Sequence, residues 1–192
     1  MKDQAQDTVG DVRRLVYGLR PPALDDLGLV AAILQQAESH GFVVEGEGSS
    51  GDRDKAASGA DGWVYFSVEA PEELPPLSAA VEVAAYRIVQ EAVTNVARHA
   101  RAKSCRVHLS VDRAGGALEL EVTDDGVGMS VGRRAGVGMS SMRERAEELG
   151  GALVVEPGPE GGTRVLARLP LPASDQESQG AMSSWNAPSA SS

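Results

Sequence analysis

Gln90-Glu91-Ala92-Val93-Thr94-Asn95-Val96-Ala97-Arg98-His99-Ala100 is the polar-faced end of the longest helical pattern in the chain. The pattern spans 78–100, where Val81, Ala85, Ile88, Ala92 and Val96 recur at three- and four-residue spacing and predict one core-facing side. On the other side Glu91, Asn95 and His99 share an i, i+4, i+8 stripe, flanked by Thr94 and Arg98. An asparagine amide oxygen is a hard ligand suited to Mg²⁺, a cation that keeps its waters and shares the oxygens of phosphates. Glu91 could order a metal-bound water, and Arg98 and His99 could reach phosphate oxygens. Taken alone, the stripe is equally an ordinary solvated helix face.

Working outward, two alternating runs follow the helix, Cys105–Val111 and Ala117–Thr123, joined as a hairpin through Ala114-Gly115-Gly116. The second run ends in Val122-Thr123-Asp124-Asp125-Gly126-Val127-Gly128-Met129. A carboxylate at a strand end can accept a hydrogen bond from the exocyclic amine of a base. Gly126 and Gly128 would let a planar ring approach the backbone. A plain Asp-Gly turn is the competing reading. Next, Gly136-Val137-Gly138-Met139 opens a helix over 139–149, closed by Gly150-Gly151. N–H groups at a helix start bind anions, and glycine allows close approach. No lysine completes a Walker loop there. Ala152–Glu156 and Thr163–Leu169 pair as a last hairpin, with Gly161-Gly162-Thr163 as its turn and Thr163 as a further contact.

Upstream, residues 4–19 and about Leu27 to His40 carry helical apolar spacing, the latter through Leu29, Ile33, Leu34 and Ala37. Pro21-Pro22 ends the first, and Gly41 stops the second. Phe42-Val43-Val44 and Trp63–Val68 read as strands around a Gly-, Ser- and Asp-rich loop, 46–62. After Pro172 the composition predicts disorder. Helices gathered with a mixed, largely antiparallel sheet imply an α+β fold, a two-layer sandwich with helices on one face. The expected division is a helical segment over 1–40, a globular domain over 41–172, and a tail over 173–192.

Composition narrows the partners. The formal charge of −10 argues against a non-specific grip on nucleic acid. Carboxylates dominate residues 38–82, whereas Arg98, Arg101, Lys103 and Arg106 cluster, as do Arg133, Arg134, Arg143 and Arg145. Local basic clusters suit a small, highly charged anion. The single cysteine, Cys105, points to a reducing compartment and a cytoplasmic chain. No run approaches the ~20 apolar residues of a membrane span, so no membrane contact is expected, although a parent protein could carry an anchor.

The order helix–Asn, strand–Asp-x-Gly-x-Gly, Gly-x-Gly–helix resembles the ATP-binding domains of gyrase, Hsp90, histidine kinases and MutL, over roughly residues 42–170. On that resemblance Glu91 and Asn95 match the N box. Asp124, Gly126 and Gly128 match the adenine-contacting G1 box, and Gly136 and Gly138 the G2 box. The resemblance implies an ATP–Mg²⁺ site whose cofactor contacts are Asn95, Arg98, His99, Asp124, Gly126, Gly128, Gly136, Gly138, Met139 and Thr163, under a lid at 129–137. Asn95 would hold the metal, and Glu91 and Asn95 would be catalytic. Leu19-Arg20-Pro21-Pro22-Ala23-Leu24-Asp25-Asp26-Leu27-Gly28-Leu29 and Gly138–Arg145 look like sensor kinases of the nitrate-sensor type. Such a kinase phosphorylates a histidine on its dimerisation helices and serves a response regulator. His40, His99 and His108 do not match that histidine, so the chain looks cut inside the second dimerisation helix, and a dimer is expected only with those helices complete. The rival expectations are a serine kinase of the anti-sigma type and a non-catalytic module that senses ATP or docks a partner.

Overall fold

The computed structural model describes residues 20–44, 63–112, 116–128 and 137–171. The helix expected over 4–19, the loop 46–62, most of the lid with Gly136, and the tail after 172 lie outside the described residues.

Helix α1, Pro22–Ser39, begins with proline in its first turn, where the missing N–H costs nothing. It starts earlier than the expected Leu27 because the break falls inside it: Gly28 sits at φ 76 and divides the helix into two segments. Leu24, Leu29, Ala32, Ile33 and Ala37 form its buried side. The end is a Schellman-type stop, with Gly41 at φ 77 and the Phe42 N–H bonded to the Ala37 carbonyl at 3.1 Å. Strands β1, Val43–Val44, and β2, Tyr65–Glu69, follow, so the second strand lies slightly later than expected and leaves Trp63 exposed.

Helix α2, Ala79–Asn95, is capped by Ser78, whose Oγ accepts from the Val81 N–H at 3.3 Å. It does not run on to residue 100 as an α-helix. Val96–Ala100 forms a π-helical turn, ended by Arg101 in the left-handed region at φ 51. The wider turn removes His99 from strict i+4 register with Asn95. Such π turns are rare and often accompany functional sites.

The remaining elements are β3, Ser104–Asp112, β4, Ala117–Asp124, α3, Val137–Glu148, β5, Ala152–Pro157, and β6, Thr163–Pro170. Among the described residues, six strands form one sheet in the order β1-β2-β3-β4-β6-β5. The β1–β2 and β2–β3 pairs are parallel, and the other three are antiparallel. The sheet is mixed, as the sequence implied.

Alternation sets the two faces. Cys105, Val107 and Leu109 of β3, Leu118, Leu120 and Val122 of β4, and Val165, Ala167 and Leu169 of β6 are buried in one core with the helices. Their neighbours on the opposite face carry charge: Arg164 grips Glu121 through two bonds of 2.9 and 2.8 Å and reaches Glu156 at 3.2 Å. The same rule places Asp124, last in the series 118, 120, 122, 124, on the helix side of the sheet.

Candidate functional site

Asp124 is the only buried charged residue among the described residues, with 6% of its surface exposed. Burial pushes its carboxyl above the usual carboxylate range, against bonds from the Gly126 N–H and from the N–H and hydroxyl of Thr163. The Gly126 N–H bonds its Oδ1 at 2.8 Å. A charge kept in such a place is costly unless a partner or ligand compensates it. Thr163, expected as a ligand contact, supplies hydrogen bonds to Asp124.

The glycines around Asp124 are close-packing residues. A side chain on Gly162 would lie 2.6 Å from Asp124 Oδ1, and one on Gly128 would lie 2.8 Å from the Gly162 carbonyl oxygen. A methyl on Gly126 would lie 2.8 Å from the carbonyl carbon of Ala100, the last residue of the π turn, with its oxygen nearer still. The Val127 N–H donates to that oxygen at 2.8 Å. The Gly161-Gly162 hairpin turn therefore packs under the 124–128 loop, and that loop rests on the end of the helix that carries Asn95.

On α2, Glu91 and Asn95 are half-buried, and Asn95 Nδ2 donates to Glu91 Oε1 at 3.4 Å. That leaves the Asn95 carbonyl oxygen, the harder donor, without a bond to Glu91. The start of α3 closes on Glu91: a side chain on Gly138 would lie 2.7 Å from Glu91 Cδ. Arg98 and His99 are exposed on the π turn, and Met139 packs partly against the core. The structure thus joins Glu91, Asn95 and Gly138 in one group, and Asp124, Gly126, Gly128 and Thr163 in another, linked through Ala100.

Sequence reasoning missed three supports. Asp125 Oδ1 accepts from the N–H groups of Lys103 and Ser104 at 2.7 and 2.9 Å. Behind α2, Gln36 Oε1 accepts from the Tyr86 hydroxyl at 3.1 Å and from Gln90 Nε2 at 3.4 Å. Thr94 Oγ1 lies 3.3 Å from His40 Nε2. These bonds cross between segments far apart in the chain, so no local pattern announces them.

A buried acid at a strand end, glycines where side chains would intrude, and an Asn–Glu pair against a glycine-led helix suit an adenine nucleotide with its metal. Residues 80–173 match the family of histidine kinase-, DNA gyrase B- and HSP90-like ATPases. The chain carries an ATP-binding domain of that family. Within it the likeness is to histidine kinases. The chain is 27% identical over 177 residues to the signal transduction histidine-protein kinase/phosphatase DegS of Brevibacillus brevis, covering 89% of this chain and 40% of DegS. It is 32% identical over 170 residues to the sensor histidine kinase MctS of Rhizobium johnstonii, covering 86% of this chain and 32% of MctS. The chain therefore spans less than half the length of either relative. A blue-light activated histidine kinase of Erythrobacter litoralis EL346 shares the fold, with a TM-score of 0.56 and 23% identity over 78% of this chain and 43% of that one. Among the described residues no helix is long and apolar enough to cross a membrane.

Proposed function

We propose that this chain is the ATP-binding catalytic part of a two-component sensor histidine kinase of the nitrate-sensor branch, acting in the cytoplasm. It transfers the γ-phosphoryl group of ATP to a histidine that is none of the three in the chain. The observation that carries this reading is Asp124: a buried carboxylate, walled by Gly126 and Gly162, on the same side of the sheet as Asn95. In this reading its carboxylate accepts the exocyclic amine of adenine and rejects bases that lack a donor there. Asn95 would hold Mg²⁺ beside Glu91, and the ion would neutralise phosphate charge. The α3 start at Gly138 supports the phosphates through its N–H groups. Positioning and charge neutralisation account for most of a phosphoryl transfer, so these residues supply much of the catalysis.

The histidines of the chain have other surroundings. His40 sits against Thr94 and Gln36, and His108 lies on the open sheet face 3.5 Å from Glu69. His99 is exposed on the π turn that follows Asn95. The acceptor is therefore assigned to the dimerisation helices of the parent kinase, with a response regulator receiving the phosphoryl group afterwards.

Calorimetric titration with a non-hydrolysable ATP analogue, with and without Mg²⁺, tests the first half. Wild type should bind in a magnesium-dependent way, Asn95→Ala should lose most of that dependence, and Asp124→Ala should abolish binding. Phosphorylation of an added dimerisation-helix protein tests the second half. Absence of binding by folded wild-type chain would overturn the reading. Binding without transfer would leave an ATP-sensing module.

A further inference from the structure

The nucleotide loop begins with two carboxylates, and the proposed function uses only the first. Asp125 is fastened elsewhere. Its Oδ1 takes the N–H groups of Lys103 and Ser104 at 2.7 and 2.9 Å, and its own N–H meets the Ser104 carbonyl at 3.4 Å. The Val127 N–H bonds the Ala100 carbonyl at 2.8 Å, and Gly126 is pressed against that same carbonyl. Three consecutive loop residues are thereby tied to 100–104.

The segment that receives them needs such an anchor. It leaves α2 through a π turn and a left-handed Arg101, so Lys103 and Ser104 follow a backbone outside any regular helix. A carboxylate that accepts two backbone N–H groups at once makes charge-assisted bonds, stronger than neutral ones. Burial opposes the charge, but the N–H groups of Ser104 and Lys103 outweigh it and hold the Asp125 carboxyl below its usual range. The geometry matters because of what stands at each end. Asn95 lies one π turn before Ala100, and Asp124 lies one residue before Asp125.

We infer that Asp125 is a positioning residue of the nucleotide site: through Lys103 and Ser104 it fixes the spacing between the helix end that carries Asn95 and the loop that carries Asp124. This rests on the ATP reading of the site. Asp125 itself touches neither base nor phosphate. Its effect is to keep the base-reading carboxylate and the metal-holding amide in one register, so that both engage one nucleotide.

The test compares wild type, Asp125→Asn and Asp125→Ala in the full chain. Amide hydrogen exchange without nucleotide reads the clamp alone. Calorimetry with magnesium and non-hydrolysable ATP or GTP analogues reads its consequence. Asp125→Ala should lose protection in both 100–104 and 125–128, weaken the ATP analogue about tenfold, and narrow the preference for ATP over GTP. Asp125→Asn keeps an acceptor oxygen and should restore binding to within about threefold of wild type. Thermal unfolding of each variant separates lost affinity from lost fold. The inference is overturned if Asp125→Ala binds within about twofold of wild type. It also fails if the asparagine variant does no better than alanine while both remain folded. Failure of wild type to bind either analogue would sink the ATP reading instead, and the exchange pattern would still report on the clamp.

Discussion

Alanine at position 126 separates two reasons for a glycine. Gly126 is absent from the residues with positive φ, so its backbone would accept any side chain. The obstacle is space. The added methyl would stand 2.8 Å from both the carbonyl carbon and Cβ of Ala100, whereas unstrained carbon contacts lie at about 3.5–4.0 Å. A gap of roughly 1 Å must open, and the obstructing group is mostly backbone rather than the free end of a flexible side chain. Opening it also pulls the Ala100 carbonyl from the Val127 N–H, now at 2.8 Å. Overpacking costs about 1–3 kcal/mol and the hydrogen bond about 0.5–1.5, so Gly126→Ala should lose roughly 2–4 kcal/mol. Gly150→Ala is the comparison. Gly150 has φ 73, and a methyl there would meet nothing within 4 Å, so only the left-handed penalty of roughly 1–2 kcal/mol applies. Urea unfolding with an unchanged slope measures both. Titration with an ATP analogue should show weakened binding for Gly126→Ala and wild-type affinity for Gly150→Ala. A cost below about 1 kcal/mol at position 126, or a larger one at 150, would refute close approach as the reason for Gly126.

Tyr86→Phe removes the buried hydroxyl that reaches Gln36 across α1 and α2, and chemical denaturation should show a loss of about 0.5–1.5 kcal/mol. Acid titration should give opposite signs at two carboxylates. Burial raises Asp124 from its ordinary 3.8, so its contribution to nucleotide-free stability is lost as pH rises through the folded value. The Arg164 bonds lower Glu121 from 4.5, so its contribution is lost as pH falls through the folded value. With rising pH across this acid range, Asp124→Asn should therefore gain on wild type and Glu121→Gln should fall behind it. The reverse order in pH-dependent thermal unfolding would contradict both assignments. Burial, with the charges of Asp124 and Asp125 behind it, pushes the Cys105 thiol far up. A thiol reagent near neutral pH should label the native chain only at the rate of its opening, and the unfolded chain at once.

The sheet was legible because its strands are half-buried. Alternation in Cys105–Val111 and Ala117–Thr123 names both the strands and the face they turn inward, and the structure pairs Val107 with Val122 and Leu109 with Leu120 as that requires. Helix limits were less legible. The break at Gly28 and the π turn after Asn95 preserve the apolar spacing nearly intact, since Leu29, Val96 and Ala100 are buried either way. Periodicity reports which side is buried and is insensitive to one residue added within a turn. His99 shows the consequence: its place in the stripe assumed a regular α-helix through residue 99.

The site divides along the same line. Residue types whose chemistry is intrinsic, the acid at a strand end and the amide on a helix, could be named from the chain alone. Roles that depend on a distant neighbour could not. Gly126 and Gly128 read in the sequence as a ring-admitting loop and Gly162 as a plain turn, yet the structure presses the three against Ala100, Gly162 and Asp124 respectively. Much of the glycine signature thus reflects packing of the protein on itself. That packing is what lets a buried carboxylate stay in place before any nucleotide arrives. A loop kept open by flexible glycines would have to be ordered by the ligand, at a cost of about 1–2 kcal/mol for each residue fixed. A loop already fastened through Ala100, Lys103 and Ser104 has met that cost during folding. Substitutions that loosen the fastening should accordingly weaken binding without removing a single group that touches the nucleotide.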